Sequence, residues 1–534
     1  MTTVPQQPSE PAKTGRRIAL GMTTIFFIYF VYAYFFQIML SALPKVAADL
    51  DGMRLYSWGV SIPNLGLAFS MLMVGKLSDM YGRRALLLGC LAICLVGAIW
   101  SALSSTFVML IIARTALCIG QGGLAPLCFS AIGDMVDPVE RGKWVGLLNI
   151  PAGIFAFVGP TLGGWFVDSL SWRYIFWCGT PLLIAALAMV LFGLSGRRQS
   201  GPSKVDGRGA VLAAVASSTL ILAFSLAGTM YPWASVQVLG LLAVSVIFWA
   251  LFVKSEAGAA EPILDLQVLR NRTFMIIACA CVLSSFGMTG LMIYYPLLMQ
   301  GVQGATATLT GQIMTPGNVL MNFLGVPTGF ILARTKRYKW MFVLGYGATL
   351  AVMLGLIFFN AATPIYWGFI AITLSGIGMG AIPTLNTLVA QYAVPKRLLG
   401  VATGALFFSV MMGQAIAPAI LGSAMNMKYN STLKASLPAE VSRLADQATM
   451  TSLGNPRVLL SESAMASLRE TLRAETPDGK ATLDQTVSAI RNSMEAGLRI
   501  VYILGAIAML LTFLTICTIP QISIDAEVED KKVP

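Results

Sequence analysis

The constraint that governs what this chain can fold into is a succession of apolar runs, each about 20 residues long, separated by short polar stretches. At 1.5 Å rise per residue, about 20 helical residues cross a hydrocarbon core of ~30 Å. A backbone placed in lipid has to satisfy its own N–H and C=O groups, and a helix does so within the segment. Fourteen runs are predicted, at 18–43, 57–75, 85–104, 107–132, 144–167, 174–195, 209–230, 235–253, 274–298, 308–332, 340–360, 365–390, 398–424 and 498–519. Their apolar side chains spread nearly all round the helix rather than along one stripe, as helices exposed to lipid require. Composition agrees: 56% of the residues are hydrophobic and 11% charged, where a soluble domain carries about a quarter charged. The expected fold class is an all-α polytopic membrane protein with 14 transmembrane helices.

Several function classes drop out. The net charge is +12, but Lys and Arg are scattered over many short loops with no basic face interleaved with aromatics, so no nucleic-acid partner is expected. There is no His, and all eight Cys (Cys90, Cys94, Cys118, Cys128, Cys178, Cys279, Cys281 and Cys517) lie inside apolar runs without a CxxC pair. They read as small packing residues, and neither a metal site nor a cofactor is expected. A membrane-embedded enzyme needs converging acids, His or a metal cluster, and the sequence offers none. Lys13, Arg16 and Arg17 precede an apolar run too long for a signal peptide, which is read as the first span. The basic residues are also strongly sided. Twenty-three fall in the tails and loops of one side, whereas the short loops of the other hold only Lys45, Arg54 and Arg173. The positive-inside bias places both termini in the cytoplasm, and the expected location is the cell (inner) membrane.

The chain repeats itself. GKLSDMYGRR begins at Gly75, and a degraded copy, GFILARTKRYK, begins at Gly329, 254 residues later. Pro138-x-x-Arg141-Gly142 followed by Gly159-Pro160 is echoed by Pro395-x-Arg397-x-x-Gly400 and Ala417-Pro418, at offsets of 256 to 258. Two pairs at nearly one spacing point to two related six-span halves, and a transporter with its substrate site between the halves follows from that organisation. The expected domains are a tail (1–17), an N-terminal six-helix bundle (18–195), an inserted helix pair (209–253), a C-terminal six-helix bundle (274–519) and a tail (520–534). Within the second bundle, 425–497 is an extracytoplasmic loop. Val458–Arg473 and Leu483–Leu498 look like amphipathic helices in it, with Pro477-Asp478-Gly479 as the turn between them. Either a hairpin capping the helices or a docking or gating element fits this loop.

Charge within the bilayer is scarce, and the acids sit at span ends. Arg114, about two turns into the fourth run, is the exception. A central Arg costs about 2.5–3.5 kcal/mol by insertion scales, so it faces a functional cavity or donates to backbone carbonyls. In the Gly75–Arg84 segment, Gly75 and Gly82 allow close helix approach and a tight turn. Asp79 can accept from a neighbouring helix N-terminus, and Arg83 can reach Asp134, forming an inner latch between the halves. The fifth run carries Pro151, Gly153, Gly159, Pro160, Gly163 and Gly164, which suit either close packing or a bend that seals the cavity. Candidate cavity residues are Arg114, Gln37, Tyr34, Gln121, Asn149, Asn318, Asn322, Asn386 and Gln414, with Phe30, Phe155 and Met288 as soft contacts. Each also fits a packing or interhelical hydrogen-bond role.

These residues resemble a known family. GKLSDMYGRR (75–84) is similar to the loop signature of the major facilitator superfamily, and Arg114 with Gly120 resembles its span-four motif. Gly153 through Gly159-Pro160-Thr161-Leu162-Gly163-Gly164 resembles the antiporter motif of its drug-exporting branches. Ser171-Trp172-Arg173-Tyr174-Ile175-Phe176, the inserted pair and the long loop before the last span point to the 14-span drug:proton antiporter branch. The resemblance implies a multidrug-type efflux transporter working by alternating access, driven by a proton gradient. Its partners would be lipophilic small molecules and the lipid bilayer, and in the docking reading of the 425–497 loop a periplasmic adaptor protein as well. The chain departs from the branch at Phe35, where an acid usually stands, and at Gln37, where Thr is common. Leu117-Cys118 replaces the usual Gln-Gly after the span-four Arg. The alternative reading is therefore a non-proton-coupled facilitator, or an exporter of lipids, metabolites or anionic compounds. If protons are coupled, Asp134 and Asp79 are the titratable candidates.

Overall fold

The computed structural model describes residues 15–50, 55–194, 207–228, 231–258, 265–437, 441 and 479–521. The N-terminal tail before residue 15, the end of the C-terminal tail and the expected helix Val458–Arg473 lie outside the described residues. Among the described residues no strand forms, and one isolated bridge pairs Ala227 with Tyr231.

The first six long helices are α1 (Gly15–Asp49), α2 (Tyr56–Tyr81), α3 (Arg83–Ala102), α4 (Phe107–Met135), α5 (Pro138–Trp165) and α6 (Arg173–Gly193). A π-helical turn, Phe166–Leu170, finishes α5. Next come α7 (Gly207–Leu226), α8 (Val236–Gly258) and the short α9 (Leu266–Arg270). Then α10 (Arg272–Thr289) continues through the three-residue α11 (Tyr295–Leu297) and two π-helical stretches to Val302. The last group is α12 (Ala307–Phe323), α13 (Gly325–Thr335), α14 (Lys339–Leu356), α15 (Ile365–Tyr392), α16 (Leu399–Ser436) and α17 (Gly479–Cys517). Helix starts are set by side chains that accept from the otherwise unpaired first-turn amides. Thr106 accepts from Met109 N at 3.2 Å, Asn271 from Phe274 N at 3.1 Å and Thr306 from Leu309 N at 3.2 Å.

Among the described residues twelve helices are long and apolar enough to cross a membrane, against the fourteen expected. The difference lies in two runs. The expected run 209–230 becomes α7, whose apolar part is only Val211–Leu226. The run 308–332 is divided at Leu324 into α12 and α13. Pro327 explains the division: it has no N–H for the carbonyl four residues back, and its ring crowds that carbonyl.

The expected loop 425–497 needs new bounds. Helix α16 runs on to Ser436, and α17 begins at Gly479 and passes unbroken into the last apolar run. The polar residues of these extensions are stabilised by a strip of core. Met425, Tyr429 and Leu433 on α16 are buried, as are Ile490, Met494 and Leu498 on α17. Their spacing of about four residues puts each set on one helix face. Thr486 and Ser493 are buried too, and each satisfies its hydroxyl on the carbonyl one turn back. At Gly497 an added Cβ would stand 3.0 Å from the Met425 carbonyl, so the absence of a side chain sets the approach of the two helices.

Helix pairing follows the repeat. In the first group α1 packs on α5 and α6, α4 on α2 and α3, and α3 on α6. In the last group α10 packs on α16 and α17, α15 on α12, α13 and α14, and α14 on α17. These are the same pairings once each helix is matched to its repeat partner. Between the groups α7 and α8 pack on one another, and α7 also touches both α2 and α16.

The repeat extends to backbone conformation. Gly82, between α2 and α3, has φ 86°, and Lys336, its counterpart 254 residues on, has φ 56° between α13 and α14. Among the described residues Lys336 is the one non-glycine with positive φ. A side chain in the left-handed region costs on the order of 1 kcal/mol. Lys336→Gly is therefore expected to stabilise the protein by about 1 kcal/mol, less the unfolded-state entropy of the added glycine. The check is thermal unfolding in detergent, where a lower melting temperature would contradict the assignment.

Candidate functional site

One end of the bundle carries the turn between α2 and α3, and there a charged cluster joins the first and last helix groups. Asp79, in the last turn of α2, accepts from Gly400 N at 3.1 Å and Val401 N at 2.9 Å. Both amides lie in the first turn of α16, where no intrahelical carbonyl reaches them and the helix dipole favours an anion. Arg83 closes the arrangement from the start of α3. Its guanidinium lies 2.6 Å from Asp79 Oδ1 and 2.8 Å from Asp134 Oδ2 at the end of α4. It also donates to Ser78 Oγ. Asp79 and Arg83 are largely withdrawn from water, while Asp134 is 39% exposed. Such a pair is costly to break, because a lost partner leaves a buried charge behind.

Glycines hold the same end together in two places, and the places are related by the repeat. A Cβ on Gly75 would stand 2.5 Å from the Gly400 carbonyl, and one on Gly404 would stand 2.7 Å from the Met71 carbonyl. On the other side, a Cβ on Gly142 would stand 2.8 Å from the Gly329 carbonyl, and one on Gly146 would stand 2.6 Å from the Gly325 carbonyl. Each is closer than real Cβ atoms come to backbone oxygen. Gly75 and Gly329 are repeat partners, as are Gly142 and Gly400 and, at the same offset of 258, Gly146 and Gly404. The contacts of α2 with α16 and of α13 with α5 are thus two copies of one contact about a pseudo-twofold axis.

Further links cross between the groups among the described residues, and of those that follow one is on an expected residue. Asn149 on α5 donates to Thr384 Oγ1 on α15 at 3.1 Å. Gln391, buried at the end of α15, donates to the Phe129 carbonyl of α4 at 3.3 Å and to Thr403 Oγ1 at 3.2 Å. Arg141 is buried on α5, donates to the Gly133 carbonyl at 2.7 Å, and its guanidinium carbon lies 5.8 Å from the Tyr392 ring centroid. The repeat holds the signal for Gln391, which stands 257 residues after Asp134. It occupies the equivalent helix end without a charge.

The other expected residues are spread more widely. Arg114 is partly buried and donates to the Gly59 carbonyl of α2 at 3.0 Å. Tyr34 is buried in packed protein, its hydroxyl donating to the Ile175 carbonyl at 2.8 Å and its ring against Phe35 and Phe155. Gln121 is buried and donates to the Tyr32 carbonyl, and Asn386 is buried and donates to Cys281 Sγ. Tyr34, Gln121 and Asn386 thus each make an interhelical hydrogen bond. Asn322 donates to the Asn318 carbonyl at 2.9 Å and lies beside Gly153, whose Cβ would stand 3.1 Å from Asn322 Cβ across the α5–α12 contact. Gln37 meets Gly159 at the contact of α1 with α5, Phe30 sits edge-on to Phe155 at 4.7 Å, Met288 is half-buried and Gln414 is exposed.

The glycine motif of α5 divides by role. Gly153 and Gly159 make close approaches, whereas an added Cβ at Gly164 would meet nothing within 4 Å. Gly163 is buried, and the helix continues through Pro160 before loosening into the π-helical turn at Phe166. Phe35, which stands where the resemblance puts an acid, is buried against Gly179 of α6. No group of three or more metal-ligating side chains forms among the described residues.

Comparison with known proteins agrees with this architecture. Residues 25–418 match the Major Facilitator Superfamily. The chain is 31% identical over 463 residues to the multidrug transporter protein MdtP of Bacillus subtilis, covering 85% of this chain and 84% of that one. It is 26% identical over 482 residues to multidrug resistance protein 3 of the same organism, covering 90% of each. Its fold is similar to the human organic anion transporter MFSD10, with a TM-score of 0.56 at 15% identity over 96% of this chain and all of the other. It is likewise similar to the proton:xylose symporter XylE, with a TM-score of 0.56 at 12% identity over 95% and 96%. The twelve helices among the described residues that are long and apolar enough to cross a membrane, the repeated pairings and the family match together make this chain a multi-pass membrane transporter, and it belongs to the Major Facilitator Superfamily.

Proposed function

We propose that the chain is an efflux transporter that exports lipophilic small molecules across the cell inner membrane by alternating access, coupled to proton entry. The observation that carries this reading is the closed end built from Asp79, Arg83 and the paired glycines. Helices of the first and last groups meet there at backbone contact, through a charge cluster that one protonation event would weaken. The chain crosses the membrane 14 times in this reading, with α7 and the kinked α12–α13 rod as the additional spans. The end holding the cluster faces the cytoplasm together with both termini, since the basic loops lie on that side. The relatives named as multidrug transporters support an outward direction and a broad substrate range. A cavity with few formal charges selects lipophilic rather than highly charged cargo. Asp134 and Asp79 are the titratable candidates in this scheme, and Asp134 is the one at the exposed edge of the cluster.

A specific observation favours a second reading, in which the fold works without proton coupling. Phe35 fills a dry, tightly packed place against Gly179, so no proton-binding group stands there. Flux measured in proteoliposomes with an imposed pH gradient separates the two, using cationic, neutral and anionic lipophilic probes in parallel. Coupled export predicts flux that collapses with the gradient and at least a tenfold loss of gradient response in Asp134→Asn. Gradient-independent flux would establish the second reading. In the same assay Arg114→Ala tests whether that residue serves the cargo. Its charge-assisted bond to Gly59 is worth about 1.5–3 kcal/mol, so wild-type amounts of folded protein with at least tenfold less flux would assign it a transport role. Unchanged flux would leave it as the α2–α4 tie.

A further inference from the structure

The inserted pair builds a cavity that neither the latch nor the repeat accounts for. At the end of the bundle opposite the Asp79 cluster, the turn joining α7 to α8 folds back on itself, with Gly228 at φ 72°. A side chain at Gly228 would collide with Ser423 of α16, so its absence lets the turn dock there. Trp233 Nε1 then donates to Ser423 Oγ at 2.6 Å. Beside this contact lies a cavity of about 480 Å³, lined by Trp233, Ser423, Asn426, Met427, Asn430 and Lys434. That volume is within the range of sites for organic ligands and exceeds what a lone inorganic anion fills.

We infer that this cavity binds the headgroup of an anionic phospholipid. Lys434 is a cation on the lining, while no residue of α16 and no residue of the 227–235 turn is acidic. Helical side chains lean toward the helix N-terminus, so the Lys434 stem reaches back over Asn430 toward the membrane boundary. The two asparagines add donors suited to phosphate oxygens. An apolar approach continues from the end of the cavity that holds Lys434 and the asparagines. Met427 is 72% exposed at its rim, and Val236 and Leu239 at the start of α8 are 85% and 53% exposed. Acyl chains laid along α8 would cover these residues while the headgroup occupies the cavity, and an interfacial Trp is placed where chain and headgroup meet. A water-soluble phosphate would use the cation and the asparagines but leave the apolar rim bare. Three ligands of stated chemistry therefore distinguish the sources.

The test uses the purified full chain in detergent, titrated separately with phosphatidylglycerol, phosphatidylcholine and inorganic phosphate. Binding is read by native mass spectrometry and by thermal shift. The expected result is at least a fivefold preference for phosphatidylglycerol over phosphatidylcholine and no competition by millimolar phosphate. Lys434→Gln should reduce the preference to below twofold. Lys428→Gln, on the same helix and exposed but outside the lining, should keep it. Equal retention of the two lipids by the wild-type chain, an undiminished preference in Lys434→Gln, or displacement by phosphate would each overturn the proposal. Both lysines are exposed, so neither variant threatens folding.

Discussion

Asp79→Asn is expected to reduce transport at least tenfold while the amount of folded protein stays within twofold of wild type. The carboxylate does three things at once: it accepts from Gly400 N, accepts from Val401 N, and pairs with Arg83. An amide side chain still offers one oxygen but loses the charge that the helix terminus and the guanidinium both require. Removing one partner of a withdrawn ion pair costs about 3–5 kcal/mol, and the lost anion at the helix terminus adds roughly 1 kcal/mol. Asp134 remains to compensate part of the Arg83 charge, so about 3 kcal/mol is expected. That is on the order of a 100-fold shift away from the form closed at this end. The direct reading is hydrogen exchange over the start of α16. The Gly400 and Val401 amides have no intrahelical acceptor and depend on Asp79, so their exchange should speed up at least tenfold in the variant. Unchanged exchange at those two amides would show that the carboxylate does not hold the helices together.

Asp79 was legible in the sequence for a physical reason. An acid four residues after a glycine, in a loop otherwise basic, is poorly explained by solvation and well explained by a helix terminus nearby. What the sequence could not name was which helix. Gly400 and Val401 are recognisable as partners only when the pseudo-twofold axis is seen, because the repeat crosses its members: Gly75 meets Gly400, and its copy Gly329 meets Gly142. The same axis shows where the two halves differ. Ala333 stands at the place corresponding to Asp79, so the start of α5 receives no carboxylate from α13. Its first turn instead carries its own Glu140, an acid positioned to suit the helix dipole.

Cavity residues were far less legible. A polar side chain inside an apolar run reads the same whether it faces a cargo path or another helix. The distinction depends on rotation about the helix axis, which hydropathy barely encodes when all faces are apolar. Tyr34 and Gln121 look alike in sequence to Asn149, yet the first two close hydrogen bonds within the first helix group and the third reaches across to Thr384. The polar segment 425–497 was legible in part. Leu483–Leu498 reads as an amphipathic helix and lies within α17, where the Thr486 and Ser493 hydroxyls bond one turn back, whereas the run of α16 on to Ser436 was not expected. The buried positions of α16 and α17 recur every four residues, a pattern visible only once the polar residues between them are discounted.

Gly329→Ala is the substitution with the largest expected effect outside the charge cluster. Its Cβ would fall on the Gly142 carbonyl, and neither atom belongs to a side chain that can turn aside. Overpacking costs about 1–3 kcal/mol where side chains can yield and more where backbone must move. The helix-propensity gain of alanine over glycine, about 1 kcal/mol, offsets only part of that. The strain applies to the form in which α5 and α13 touch, so the substitution should leave the protein folded but hold this end apart. Transport is expected to fall at least tenfold, with a smaller loss in Gly142→Ala, whose Cβ would meet the opposing carbonyl at 2.8 Å. Gly240→Ala supplies the comparison. That glycine lies in α8 with nothing within 4 Å of an added Cβ, so flux should remain within twofold and stability should rise slightly. If Gly329→Ala transports as wild type does, the end closed by paired glycines is not a stage of the transport cycle. The alternating-access reading would then have to rest on motion elsewhere in the bundle.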